Sequence, residues 1–167
     1  MKENQVMLEE FLELAIEAEK TAEELYNRLA EKFSHHPKVA DFWKRYASEE
    51  VGHAKWLVQL RGRLGAEELS VPVDPVKVRE ARTAVEFSVE DRLKEVGNLD
   101  EAFHLVNELE NSETNVVFEF LIDNFSADEE TRVFLRSHLR EHVDKLMNEF
   151  PVMSGGKLGR QSIKALE

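Results

Sequence analysis

Apolar residues recur in alternating steps of four and three along four segments of the chain, which places them on one face of a helix packed in a bundle. The first segment predicts a helix over about residues 4–33, with the series Leu8, Leu12, Ala15, Glu19, Ala22, Tyr26, Leu29 and Phe33. The second predicts a helix over about 38–64, with the series Val39, Trp43, Tyr46, Glu50, His53, Leu57, Leu60 and Leu64.

Two further series follow in the second half of the chain. One predicts a helix over about 99–124, with Leu99, Phe103, Val106, Glu110, Glu113, Val117 and Phe120. The other predicts a helix from near Asp128 to a point before Pro151, with Leu135, Leu139, His142 and Leu146. No apolar alternation of period two competes with these patterns, so the sequence predicts an all-α protein.

The segments between the helices predict how the helices are connected. SHHP at 34–37 separates the first two helices, and Gly65 is predicted to cap the end of the second. Residues 65–98 contain two prolines, a weaker helical stretch from about 76, and a short helix, SVEDRLKEV, capped by Ser88 and ending at Gly97. This connection is too long for a turn. It predicts a ferritin-like four-helix bundle over residues 1–150, with one long crossover that contains a short extra helix.

Composition narrows the functional classes. The chain has 167 residues and a net charge of -12, which argues against nucleic acid and anionic membrane surfaces as partners. No apolar run approaches the roughly 20 residues that span a bilayer, and MKENQVMLEE lacks a signal-peptide apolar region, so we expect a cytoplasmic protein. The Gly-interrupted residues 151–167 are expected to form a flexible tail.

The chain contains no cysteine. Thiolate zinc sites, iron–sulfur clusters and a rubredoxin-type iron centre are therefore excluded within these residues, and no haem is expected. Any metal ion has to be held by histidine and carboxylate side chains.

Polar side chains interrupt all four apolar series near their midpoints. They are Glu19, Glu50, His53, Glu110, Glu113 and His142. A carboxylate or imidazole in an apolar seam is costly unless something compensates it, and a metal ion does so for this combination. The spacing of Glu50 and His53 puts both side chains on one helical face, one turn apart. Carboxylates can bridge two cations, and imidazole is a terminal ligand suited to iron.

The sequence resembles the rubrerythrin-like branch of the ferritin-like superfamily over roughly residues 5–150. The resemblance is carried by EAEKTAEELYNRLA, EEVGHAKWL and LDEAFHLVNELENSET. It implies a non-haem di-iron centre, with zinc or manganese as possible substitutes, that reduces peroxide or oxidises Fe(II) with O2 or peroxide. It also implies a homodimer. The electron donor is not identified by the sequence.

The implied ligand set follows from matching residues. It consists of Glu19, Glu50, His53, Glu110, Glu113 and His142. In this hypothesis Glu50 bridges the two ions, Glu19 and His53 bind one ion, and Glu110 and His142 bind the other. Glu113 matches the family's second glutamate of Glu-x-x-Glu, which exchanges with a histidine as the iron changes oxidation state. No residue beyond the ligands is assigned a catalytic role.

Leu139 departs from the family pattern, because dimetal bundles carry a glutamate three residues before the histidine of the fourth helix. Two interpretations follow. In the first, Glu113 replaces the missing carboxylate and two ions still bind. In the second, the site holds one ion, or zinc, and redox chemistry is weak or lost. A non-enzymatic bundle that uses metal for structure, sensing or iron handling therefore stays open as an alternative function.

Each polar residue also has a simpler interpretation. The glutamates could lie on solvated helix faces, and His142 could be a hydrogen-bonded core histidine. His138 could supply a nitrogen ligand, although partial exposure is the expectation. Tyr26 and Tyr46, with Trp43, are expected to be core aromatic residues that can also hydrogen-bond a ligand near a metal. The remaining histidines are expected on loops or the surface; they are His35, His36 and His104.

Overall fold

The structure is a computed structural model that describes residues 4–86, 88–111 and 113–150, without the side chains of 113–115. The predicted flexible tail, 151–167, lies outside the described residues. The described part of the chain forms eight helices: α1 (Leu8–Lys32), α2 (Pro37–Arg63), α3 (Ala66–Leu69), α4 (Pro75–Val85), α5 (Val89–Lys94), α6 (Leu99–Glu110), α7 (Glu113–Phe125) and α8 (Glu129–Asn148). None of these helices is long and apolar enough to cross a membrane.

The bundle has four long helical segments, and the crossover joins its two halves. α1 packs along α2. α6 and α7 together form the third segment, and α6 and α7 each contact α8, the fourth segment. The crossover contains α3, α4 and α5; α4 packs between α1 and α7, and α5 packs on α1. The predicted bundle with one long crossover is therefore the observed arrangement.

Side-chain caps begin several of these helices. The Ser88 hydroxyl accepts a hydrogen bond from the backbone N–H of Asp91, and Asp128 accepts one from the backbone N–H of Thr131. Both starts were predicted. The predicted role of Gly65 was wrong, because α2 ends at Arg63 and Gly65, with φ -77°, precedes α3 instead. Its N–H donates to a carboxylate oxygen of Glu68 over 2.8 Å.

The predicted helix over 99–124 is divided into two. α6 ends at Glu110, and α7 begins at Glu113. At the break, the side-chain amide of Asn111 donates to the backbone carbonyl of Asn107 over 2.7 Å. Short polar side chains favour helix ends because they offer the backbone such local partners. The apolar periodicity continues across the break, and for that reason it predicted one helix.

The apolar core consists of two clusters, one toward each end of the bundle. The first surrounds the large side chains of Tyr26, Trp43, Phe103, Leu146 and Phe150. The second contains Phe11, Leu12, Leu57, Phe118 and Leu139. Between the clusters lie five buried polar residues, which we call the polar belt: Glu19, Glu50, His53, Glu110 and His142. The fold thus brings together residues from α1, α2, α6 and α8 at the level where both apolar clusters end.

Candidate metal centre

The polar belt is almost completely shielded from solvent. Its five side chains belong to residues that are at most 5% exposed, and His142 is 0% exposed. All five occupy positions of the apolar series, so the residues on either side of them in each helix are anchored in the core. Buried ionisable groups need compensation by partners or by a metal ion.

His53 faces two carboxylates. Its Nδ1 lies 3.0 Å from Oε2 of Glu50 and 3.5 Å from Oε2 of Glu19. One ligand atom from each of these residues lies within 4.8 Å of the others. The three side chains form a first group, with two carboxylates and one imidazole, whose atoms can surround one cation.

His142 faces a second pair of carboxylates. Its Nε2 lies 2.8 Å from Oε1 of Glu50 and 3.2 Å from Oε1 of Glu110. These three side chains form a second group with the same donor types, again with ligand atoms within 4.8 Å of one another. Glu50 belongs to both groups, and it presents Oε2 to His53 and Oε1 to His142.

The donor set fits two divalent cations. Each group offers two carboxylates and an imidazole, and the shared carboxylate has one oxygen on each side. Oxygen and imidazole donors suit Fe(II), Mn(II) and Zn(II). Three carboxylates offset most of the charge of two such ions, and a carboxylate between the ions reduces their mutual repulsion.

In the metal-free protein, bound protons compensate the negative charge of the carboxylates in the polar belt. Burial alone would lower the pKa of His53, but hydrogen bonds to Glu19 and Glu50 raise it to about 10. Burial would also lower the pKa of His142, but the carboxylates of Glu110 and Glu50 raise it well above its usual value. Burial and the charge of Glu50 raise the pKa of Glu19. Burial works to raise the pKa of Glu50 as well, yet the charge of His142 and both histidine hydrogen bonds lower it.

Two tyrosines of the first apolar cluster donate hydrogen bonds to residues of the second group. The phenol of Tyr26 donates a hydrogen bond to Oε1 of Glu110. The phenol of Tyr46 donates to the backbone carbonyl of His142 over 2.5 Å, and its ring stacks on that imidazole with the ring centres 4.0 Å apart. Burial, followed by the charge of Glu110, raises the pKa of both phenols, which keeps them as neutral donors.

Leu139 occupies the place where the family pattern has a carboxylate. It is 7% exposed and belongs to the second apolar cluster. Beside it and Glu110 opens a cavity of 340 Å³ that is also lined by Val116, Val143 and Arg136. The side chain of Glu113, predicted as a ligand, lies outside what the structure describes.

The other histidines lie where the sequence predicted them. His35, His36 and His104 are exposed, and His138 is half-buried. The ring of His138 has its centre 5.5 Å from that of His53. Within the described part of the chain, neither group of potential ligands includes His138.

Glu49 is a functional candidate that the sequence analysis missed. One of its carboxylate oxygens contacts Nδ1 of His142, and the other contacts the ammonium group of Lys145. Burial works to raise the pKa of Glu49, but the hydrogen bonds from His142 and Lys145 lower it to about 2. The residue precedes Glu50 and lies off the apolar series, so the pattern of α2 gave no reason to connect it with α8.

Comparison with known proteins agrees with this geometry. The family model described as Rubrerythrin matches residues 10–142, a range that contains every residue of the polar belt. No curated protein and no solved structure was found to match the chain. The family match confirms the predicted all-α, ferritin-like bundle. The match covers most of the chain, and the structure has two buried carboxylate–histidine groups between its helices. The chain therefore belongs to the rubrerythrin family.

Proposed function

We propose that this chain binds two iron ions in the polar belt and reduces hydrogen peroxide with the electrons of two Fe(II) ions. The single observation that supports this most is the position of Glu50 in both ligand groups, with one oxygen toward each imidazole. A shared carboxylate of this kind suits a pair of ions better than two independent sites.

The ligand assignment follows the two groups. Glu19 and His53 bind one ion, Glu110 and His142 bind the other, and Glu50 bridges them. Glu113 begins α7, directly after the break that follows Glu110. We propose it as the additional, redox-dependent ligand that compensates for Leu139.

The protein's own residues prepare the centre for this reaction. Two Fe(II) ions supply the two electrons for H2O2 + 2 Fe(II) + 2 H⁺ → 2 H2O + 2 Fe(III). The apolar clusters on either side keep bulk water away from the ligands, which strengthens their electrostatic interactions. The phenol of Tyr26 fixes Glu110. Glu110 also lines the cavity beside Leu139, and we propose this cavity as the entry for a small oxidant.

Anaerobic titration tests the proposal. Fe(II) is added to the metal-free protein, unbound iron is removed, and one equivalent of peroxide per two irons is mixed in while ferric absorbance is followed. We expect two irons bound per chain and oxidation of both by a single peroxide. Fewer than two irons, or no oxidation by peroxide, would refute the enzymatic assignment.

A non-enzymatic metal protein is the second candidate, and Leu139 favours it. A buried leucine in the place of a carboxylate leaves α8 with an imidazole as its only described ligand. In that case metal serves structure or iron handling. Two tightly bound irons that peroxide leaves reduced would identify this function.

A further inference from the structure

Glu49 connects the polar belt to the surface through a chain of three charged groups. Its side chain is 17% exposed, and it lies between His142, which is fully buried, and Lys145, whose side chain is 37% exposed. Glu49 comes from α2 and both of its partners come from α8. The contacts therefore join the two helices at the level of the candidate metal centre.

The geometry fixes the orientation of the His142 ring. Nδ1 points to Glu49, and Nε2 points to Glu50 and Glu110. A carboxylate accepts a hydrogen bond from Nδ1–H, which leaves the lone pair of Nε2 for a cation. Glu49 itself lies on the far side of the ring from the other two carboxylates, so it acts through His142 and not as a ligand.

His53 has no equivalent support. Its Nδ1 faces the carboxylates, and its Nε2 is buried with no hydrogen-bond partner among the described residues. The ring centres of Phe118 and His138 lie 4.8 and 5.5 Å from that of His53. The two ligand groups therefore have the same donor types but different surroundings.

From this asymmetry, and resting on the proposed function, we infer that Glu49 is a positioning residue that makes the His142 half of the centre bind the first metal ion. A carboxylate that accepts from a ligating histidine fixes its tautomer and increases its basicity as a ligand. Loss of such partners typically reduces metal affinity about 10- to 100-fold. The His142 half has this partner, and the tyrosine contact to Glu110 further restricts its ligands.

Metal titration of variants tests the binding order. Co(II) is added stepwise under nitrogen, and visible absorption is recorded for the wild type, Glu49→Ala and Glu49→Gln. We expect two steps in the wild type, with the first at least about tenfold tighter. Glu49→Ala should weaken binding at the His142 half about 10- to 100-fold, so that this half no longer binds its ion first, and Glu49→Gln, which keeps an acceptor, should restore part of the loss.

A matched control separates positioning from packing. Arg45 of α2 pairs with Glu149, beyond the end of α8, over 3.5 Å without contacting the polar belt. Glu149→Gln breaks an ion pair between the same two parts of the chain, and both binding steps should stay unchanged. If the first step of Glu49→Ala is as tight as that of the wild type, Glu49 does not set the order.

A second readout needs no variant. In the Zn(II)-loaded wild-type protein, ¹⁵N chemical shifts of His142 should show a metal-bound Nε2 and a protonated Nδ1. A metal-bound Nδ1 would overturn the inferred orientation. Absence of any bound metal would instead refute the proposed function on which the inference rests, so the two failures are distinguishable.

Discussion

A carboxylate that serves two ligand groups has more influence on metal binding than one that serves a single group. Glu50 is the shared residue, and its two oxygens lie 3.0 Å from His53 and 2.8 Å from His142. Glu19 contacts only the His53 side. At the scale of single residues, the sequence located all five members of the polar belt, because each interrupts a regular apolar series. Glu49 interrupts no series, so only its contacts in the folded structure identify it.

This difference predicts distinct metal contents for two variants. Glu50→Gln should reduce bound iron from two ions per chain to below one, because both groups lose a charged ligand. Glu19→Gln should leave one ion, held by Glu110 and His142. Metal analysis after gel filtration measures both. Glu108→Gln, on the exposed face of α6, is the control and should retain two ions. Equal losses in the Glu50 and Glu19 variants would contradict a shared ligand.

At the scale of elements, α8 carries one of the two metal ligands that the family pattern expects on the fourth helix: the histidine is present and the glutamate is not. His142 lies in the polar belt, and Leu139, one turn earlier, packs in the second apolar cluster. The sequence predicted this helix and its start at Asp128 correctly. It did not predict that α6 ends at Glu110 and α7 begins at Glu113, because the apolar spacing continues from one helix into the other.

Replacing Leu139 by glutamate should restore a missing ligand. In the metal-free protein, Leu139→Glu buries an uncompensated carboxylate and should destabilise the fold by roughly 2–5 kcal/mol. With Fe(II) present, affinity should rise about tenfold or more, because the centre gains an anionic oxygen donor. Equilibrium denaturation and competitive chelation measure the two effects.

Leu135→Glu provides the control for this change. Leu135 belongs to the same apolar cluster, four residues earlier on α8, and is 8% exposed. The Leu135→Glu variant should lose a similar amount of folding stability, but its iron affinity should not rise. Equal iron affinity in the wild type and Leu139→Glu would mean that position 139 does not face the metal ions.

At the scale of the whole molecule, a layer of ionisable groups separates two apolar clusters. Periodicity predicted both the bundle and the position of this layer, because the polar interruptions fall at similar heights on the helices. It could not predict the interhelical contacts of Tyr26, Glu49 and Lys145, which depend on side-chain geometry across helices. The pairing of two chains and a cytoplasmic location stay predictions.

The protonated layer makes the stability of the metal-free protein depend on pH. The pKa of His53 rises from an ordinary 6.5 to about 10 on folding. Its stabilising contribution is therefore complete below about pH 6.5 and is lost as pH rises toward 10. We predict that the melting temperature of the metal-free protein falls across this window, measured by calorimetry.

The metal-loaded protein is the comparison for this pH dependence. Its imidazoles hold metal instead of protons, so its melting temperature should fall much less between pH 6.5 and 10. Metal binding should also release protons, and affinity should increase with pH. A metal-free protein whose stability is constant or rises over the same window would contradict a proton-compensated polar belt.

Anomalous diffraction at the iron edge, from crystals of the Fe(II)-loaded protein, shows directly whether two ions share Glu50. We expect two anomalous peaks per chain, both within bonding distance of Glu50, one next to His53 and the other next to His142. A single peak, or peaks away from Glu50, would contradict a dimetal centre in the polar belt.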